Sequence, residues 1–371
     1  MQETLEQAFF FLDALGIKRL ETVYIGGGTP SILSRSDLSR LLGSLSGLDP
    51  LEWTIEANPD SLDEYFLETC AAHGVTRLSL GIQAGRDGLL SRLGRPGRAA
   101  DNARALELIS GRWKGKVNLD FLAGIPGQEH EDLEADLSPL AGSNIGHVSL
   151  YSLTVEPETE LSRMIERGEI RPDSEERGEE LWFHGKELLE RSGFTNYEIS
   201  NFAKPGCECR HNMRYWRLEP YIGVGPGAVS TLPAAAAQAL GKGISEQAGG
   251  ARVVRLSNPR DIGRFLSGRD GLWGMGVETV SDESFLLETL MMGLRTSEGI
   301  DGGAFLRRFG GEFDAFFPGL RRKWIADGLA HGESSGLRMK EAGRLRLNRR
   351  LEEIAAGISR GLAAAPEVLW P

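Results

Sequence analysis

Residues 22–30 read Thr22-Val23-Tyr24-Ile25-Gly26-Gly27-Gly28-Thr29-Pro30: a short β-rich run that breaks into three glycines, a threonine and a proline. Glycines lack side chains, so a ligand can approach this backbone closely and positive φ angles are permitted. The same run equally suits a tight strand-to-helix turn, and a glycine run alone does not decide between the two. Its context does. Four more β-rich runs follow, at Trp53–Glu56, Arg77–Ile82, Val117–Leu122 and His147–Leu153. Helix-like stretches (SRSDLSRLLGSL, SLDEYFLETCAAHG, RAADNARALELIS and EDLEADLSPLAG) separate them. Strand and helix alternating at roughly thirty-residue spacing is the signature of βαβ units, so a parallel sheet is expected. Glu3–Leu15 reads as a helix, so the chain opens on a helix with no strand before it.

Beyond this region, a helix near Glu175–Ser192 precedes a strand-like FTNYEIS at Phe194–Ser200. Compact aromatic and glycine segments follow, CRHNMRYW and YIGVGPGAVS. LPAAAAQALGKGISEQAGG is low in complexity and reads as a surface excursion. From Ser281 several short helices ending in a small hairpin suggest a winged-helix-like tail. The expected division is 1–205 for a partial barrel, 206–280 for a connecting region with the aromatic motif, and 281–371 for a C-terminal α+β domain.

Across 371 residues, 40% hydrophobic and 26% charged, the composition is that of a globular protein. A net charge of −11 argues against a broad nucleic-acid surface, though not against a local basic pocket. Three cysteines, Cys70, Cys207 and Cys209, suit a reducing compartment without a disulfide framework. The first residues are acidic where a signal peptide is basic, and their apolar run is too short to span a bilayer. A cytoplasmic protein, not integral to a membrane and without a nucleic-acid partner, is expected.

In a parallel α/β sheet, ligands sit beyond the carboxyl ends of the strands. Glu56, Gln83, Asp120 and Thr154 fall at or just after successive strand ends, with Arg95 and Glu156 close behind. A single acid there could as well be solvated or cap a helix. Asp120 stands out because it lies in an apolar run, where an unpaired carboxylate would be costly. Farther on, Cys209-Arg210-His211-Asn212-Met213-Arg214-Tyr215-Trp216 joins an imidazole, guanidinium groups and two aromatics. Imidazole is a common axial ligand of heme iron, arginine pairs with propionates, and flat aromatics wall such pockets. A histidine beside a tryptophan is also an ordinary packed residue, and composition leaves both readings open.

The blocks VYIGGGTPSILS, EANPDSLD, RLSLGIQAG with LLSRLGR, VNLDFLAGIPGQ, HVSLYSLTVEPET, NYEISNFAKPG, RHNMRYW and YIGVGPGA run in order from about residue 20 to 230. Together they resemble the HemW and oxygen-independent coproporphyrinogen III oxidase-like family of radical-SAM proteins, and the tail is similar to that family's C-terminal domain. The resemblance implies an α/β fold, an open (β/α)6 barrel whose first strand is missing here, with a smaller C-terminal winged-helix-like α+β domain. It implies S-adenosylmethionine beside a [4Fe–4S] cluster. Gly26, Gly27, Gly28, Thr29 and Pro30 would meet the methionine amino group. Glu56, Gln83, Arg95, Asp120, the Leu122 backbone and Thr154 would surround the rest of that molecule. His211 would contact heme iron, with Tyr215 and Trp216 as walls and Cys207 or Cys209 as alternative thiolate contacts.

Two departures stand out. No Cys-x₃-Cys-x₂-Cys run exists in the chain, and such clusters need thiolates at fixed spacing. This chain is therefore expected not to cleave S-adenosylmethionine; truncation and natural loss both remain open, truncation accounting for strand and cysteines together. Secondly, Val229 stands in Gly225-Pro226-Gly227-Ala228-Val229-Ser230 where the family has histidine. The resemblance implies a heme chaperone delivering heme to membrane-bound acceptor proteins. Its alternatives are coproporphyrinogen III oxidation in porphyrin biosynthesis and a cluster-free heme-binding scaffold, with DNA binding by the tail a distant further one. A barrel without its first strand would expose an edge, so poor expression or edge-mediated dimers are expected.

Overall fold

The computed structural model describes residues 1–248, 251–332, 336–344 and 347. They divide into two compact units, 19–211, and 1–18 with 212–371.

Unit 19–211 is built on a seven-stranded sheet: β1 (Thr22–Ile25), β2 (Glu52–Ala57), β3 (Arg77–Gln83), β4 (Lys116–Ala123), β5 (His147–Ser152), β6 (Thr195–Asn196) and β7 (Asn201–Ala203). The order is β1-β2-β3-β4-β5-β7-β6, and β1 through β5 are parallel, as the alternating pattern predicts. Successive side chains of a strand point to opposite faces, and here the faces differ sharply in chemistry. Trp53, Ile55, Leu78, Leu80, Ile82, Val117, Leu119, Phe121, Val148 and Leu150 are all buried on one side. The other side carries Thr22, Tyr24, Thr54, Glu56, Arg77, Ser79, Asn118, Asp120, His147 and Ser149, aligned rung by rung through Tyr24↔Thr54, Thr54↔Arg77, Ser79↔Asn118 and Asp120↔Ser149. A parallel sheet covered by apolar layers on both faces reads as unbroken hydrophobic runs. Alternation in every strand means that one face packs under helices while the other lines a polar lumen.

The helices on the apolar side are placed by caps and stripes. Ser34 accepts the Asp37 amide at 3.1 Å to start Arg35–Leu45, whose Leu38, Leu42 and Leu45 are buried along one face. Asp63 caps Glu64–Ala72 in the same way at 2.7 Å.

The segment Phe194–Ser200 is not one strand. Asn196 donates to the Glu198 and Asn201 carbonyls, and Ser200 N–H to the Glu198 carboxylate, which turns the chain between β6 and β7. Side-chain bonds to nearby backbone compete here with a continuous ladder. Both strands join antiparallel, β7 against β5.

In the other unit β8 (Val229–Pro233), β9 (Val253–Ser257) and β10 (Gly276–Val280) form an antiparallel sheet within the stretch expected to be a connecting region. The described part of LPAAAAQALGKGISEQAGG, residues 232–248, is not a surface excursion: helices Ala234–Ala237 and Lys242–Ala248, with the turn Gln238–Leu240 between them, bury Ala234, Ala237, Leu240, Ile244 and Ala248 in one core with Phe11 of the helix Gln2–Ala14. Small alanine side chains let the helix approach closely, so low complexity here marks packing. Gln7 of the same first helix is fully buried and exchanges amide bonds with Asn258, at 2.9 and 3.1 Å.

The tail has short helices, Asp282–Gly293, Gly302–Phe309, Phe313–Phe316 and Leu320–Ala326, around Phe285, Phe305, Phe309, Phe313, Phe316 and Trp324. Leu337 and Met339 pair with Ile300 and Ala330, and the remainder of the expected hairpin, 345–346 and beyond 347, lies outside the described residues.

Candidate functional site

The lumen face of unit 19–211 has two levels. At the carboxyl ends of the strands, Tyr24 donates to Glu56 Oε1 at 2.7 Å and the Gly27 amide donates to Glu56 Oε2 at 3.2 Å. A Cβ on Gly26 would lie 2.5 Å from the Glu56 carboxyl carbon, and Gly27 has φ +80°. Two of the three glycines are thus required locally; Gly28 faces open space, with nothing within 4 Å of an added Cβ. Thr29 Oγ1 accepts from Asn58, Asn58 Oδ1 accepts from Arg95 at 3.3 Å, and Pro30 is buried at the start of a short turn, Pro30–Ile32. Gln83 follows a register shift between Gly81 and Gln83 and holds φ +66° although it is not glycine. Strain of that kind persists only where surroundings enforce it. A Cβ on Gly81 would sit 2.9 Å from Gln83 Nε2 and 3.4 Å from Asn58 Oδ1, so Gln83, Asn58 and Arg95 converge on that bare backbone.

Asp120 accepts from Ser79 Oγ at 3.0 Å and from Asn118 Nδ2 at 2.9 Å. Burial raises its carboxyl above the ordinary range, against the hydrogen bonds and Arg95, which lower it. Glu56 is raised for the same first reason, opposed by Tyr24 and Gly27. Leu122 presents its carbonyl to Gln128 Nε2 at 3.0 Å, while Gln128 Oε1 accepts the Gly124 and Ile125 amides. Thr154 lies exposed just beyond the carboxyl end of β5, with no side-chain partner among the described residues.

The lower level, at the amino ends, is centred on His147 and His211. His147 is buried and held neutral, its protonation disfavoured first by desolvation and then by Arg77 and Lys116. Neutral imidazole has one donor and one acceptor nitrogen. Nδ1 faces Asn118 Oδ1 at 2.6 Å and Nε2 faces the Tyr197 hydroxyl at 2.7 Å. A directed chain results: the Cys209 amide donates to Tyr197, Tyr197 to His147, His147 to Asn118, and Asn118 to Asp120. His211 shares a 2.9 Å hydrogen bond from Nδ1 with Thr22 Oγ1, and its ring stacks on Tyr24 at 5.1 Å and 22°. Its amide donates to Glu52 Oε1 at 3.0 Å. Tyr215 and Trp216 occur on the same helix, Arg210–Trp216, and fall in the other unit, where Tyr215 meets Tyr221 edge-on at 4.5 Å.

The structure therefore gathers Gly26, Gly27, Thr29, Glu56, Gln83, Arg95 and Asp120 at one end of the lumen and places His211 at the other. Sequence reading missed Tyr24, Asn58, Ser79, Asn118, Gln128, His147 and Tyr197. The polar alternation within TVYI, RLSLGIQ, VNLDFL and HVSLYS was the signal that could have found most of them.

The three cysteines do not make a cluster site. Cys70 is buried in the helix Glu64–Ala72, its thiol pushed up to about 12 by burial. Cys209 Sγ contacts Glu52 at 3.4 Å, and Cys207 lies against Gly146. Among the described residues no group of three or more His, Cys, Asp or Glu could hold a metal ion. Nor is any helix among them long and apolar enough to cross a membrane.

Residues 2–139 match the Radical SAM superfamily and residues 280–346 the HemN C-terminal domain. The chain is 30% identical over 331 residues to the heme chaperone HemW of Bacillus subtilis (strain 168), covering 88% of this chain and 83% of that protein. It is 40% identical over 240 residues to the heme chaperone HemW of Mycobacterium tuberculosis (strain ATCC 25618 / H37Rv), covering 62% and 59%. The structure of coproporphyrinogen III oxidase (HemN) from Escherichia coli, a radical SAM enzyme, superposes with TM-score 0.71 at 18% identity, over 96% of this chain and 82% of that one. That likeness establishes the open radical-SAM barrel as the fold.

Proposed function

The chain belongs to the HemW family of the radical-SAM superfamily, and on that premise we propose that it binds heme and passes it to acceptor proteins. The observation that carries the reading is the helix Arg210–Trp216, on which His211-Asn212-x-x-Tyr215-Trp216 stands with its histidine held in a fixed orientation. The Nδ1 bond to Thr22 is the kind of ring contact that orients a histidine toward a metal. Tyr215 and Trp216 would offer flat apolar surface to the porphyrin.

The upper lumen fits S-adenosylmethionine, whose chemistry when bound is that of a sulfonium open to one-electron reduction. Glu56, Gln83, Arg95 and Asp120 bring both charges and hydrogen-bonding groups together there, and the bare backbone of Gly27 and Gly28 leaves room beside them. In this reading Gly26 to Pro30 meet the amino group, while the Leu122 backbone joins the four side chains around the rest. Thr154, exposed just past β5, would join them from the neighbouring strand end. The [4Fe–4S] cluster does not fit the three cysteines, so no radical step is derived.

A second reading is a barrel serving as a heme-binding scaffold without a cluster. Acid-labile sulfide analysis of the natural full-length product separates the two.

The first test is a hemin titration followed at the Soret band, for the wild type and His211→Ala. Saturable binding that the substitution weakens supports the proposal. No binding, or binding indifferent to His211, rejects it.

A further inference from the structure

We propose that Tyr24 is a positioning residue that couples the Glu56 carboxylate to the His211 ring, so that a change of charge at one is felt at the other. The inference rests on the heme reading above. Both contacts are made by one side chain: the hydroxyl donates to Glu56 Oε1 at 2.7 Å, and the ring stacks on His211 at 5.1 Å and 22°. Neither neighbour is loose. Glu56 is also held by the Gly27 amide and by the absence of a Cβ at Gly26, and His211 by Thr22 through its ring and Glu52 through its amide.

The backbone of Tyr24 is fixed by pairing with Thr54 in β2, so the ring moves only about its own two side-chain torsions. A hydrogen bond to an ionised carboxylate is roughly twice as strong as one to a neutral group. Neutralising Glu56, by substitution or by a bound ammonium, weakens the pull on the hydroxyl and releases the ring that braces His211. The reverse also holds: equilibrium coupling between two sites is reciprocal. Both contacts are made by one rigid ring, so no longer pathway is needed.

The test is a double-mutant cycle on the whole chain with hemin as the probe, read as the dissociation constant from the Soret band. Glu56→Gln should shift hemin affinity by about fivefold while Tyr24 is present, and by less than about twofold in Tyr24→Phe and Tyr24→Leu backgrounds. Phe keeps the stacked ring and removes only the hydroxyl, so it decides the question even if the leucine variant folds poorly. Melting midpoints recorded alongside would expose general loosening, which moves with Glu56→Gln in every background. Hemin binding unaffected by Glu56→Gln, or altered equally in all backgrounds, overturns the coupling and leaves the heme reading standing. A wild type that binds no hemin overturns both.

Discussion

Arg77 and Glu52 form an ion pair at 3.0 Å with side chains 1% and 4% exposed, and between them they hold the segment that carries the histidine motif. Arg77 Nη2 donates to the Cys207 and Glu208 carbonyls at 2.9 Å each, while Glu52 Oε1 receives the Cys209 thiol and the His211 amide. Breaking a buried pair by removing one partner strands the other charge, at about 3–5 kcal/mol. Glu52→Ala should lose stability of that order in urea unfolding and weaken hemin binding as well. An unfolding midpoint equal to wild type would contradict the buried pairing.

Gly26→Ala places a methyl 2.5 Å from the Glu56 carboxyl carbon and must push that side chain aside. The expected result is at least about tenfold weaker binding of S-adenosylmethionine by calorimetry, since about 1.4 kcal/mol of lost contact suffices for that. Gly28→Ala, which meets nothing within 4 Å, should leave stability within about 0.5 kcal/mol of wild type. Wild-type S-adenosylmethionine affinity in Gly26→Ala would mean that Glu56 is not displaced from the site.

Asp136 accepts the Gly85 amide at 2.9 Å, and burial pushes its carboxyl up to about 6, with Asp132 adding to the rise and the amide opposing it. An acid whose folded pKa is raised binds its proton more tightly in the folded state, so its contribution is present at low pH and is lost as pH rises toward 6. Asp136→Asn should therefore gain on wild type by about 2 kcal/mol between pH 4 and pH 7. Urea midpoints at both pH values measure this, and a constant difference between the two proteins would refute it.

His147 runs the opposite way. Its protonation is suppressed by burial and by the charges of Arg77 and Lys116. A histidine with a depressed folded pKa contributes stability above its unfolded value, about 6.5, and loses it as pH falls below that. His147→Gln should abolish that acid-side decline while costing about 1–3 kcal/mol at pH 8 through the broken bonds to Asn118 and Tyr197. Identical slopes below pH 6.5 for both proteins would show that another group titrates.

Much of the fold was legible because local patterns encode it. The five parallel strands and the first helix follow from apolar spacing and punctuation within a few residues each, and Glu56, Gln83 and Asp120 from their places at strand ends. The strand at Phe194–Ser200 was misread because Asn196, Glu198 and Ser200 bond their own backbone, a choice that depends on which partners lie opposite. The alanine-rich segment was misread because small residues carry little hydrophobic signal until a facing surface such as Phe11 is known.

The sequence by itself determined a parallel sheet, through its periodicity, and the family, through the ordered blocks that resemble it, and it set Glu56, Gln83 and Asp120 at successive strand ends. Only the tertiary structure decided that His211 braces against Tyr24, and that Tyr24 in turn holds Glu56. Tyr24 and His211 are far apart along the chain and meet because parallel pairing puts Thr22, Tyr24 and Glu52 on one face of the sheet, where the buried Arg77–Glu52 pair anchors the returning segment. Contacts of that kind depend on strand register and on desolvated charge, and no local pattern of residues contains either.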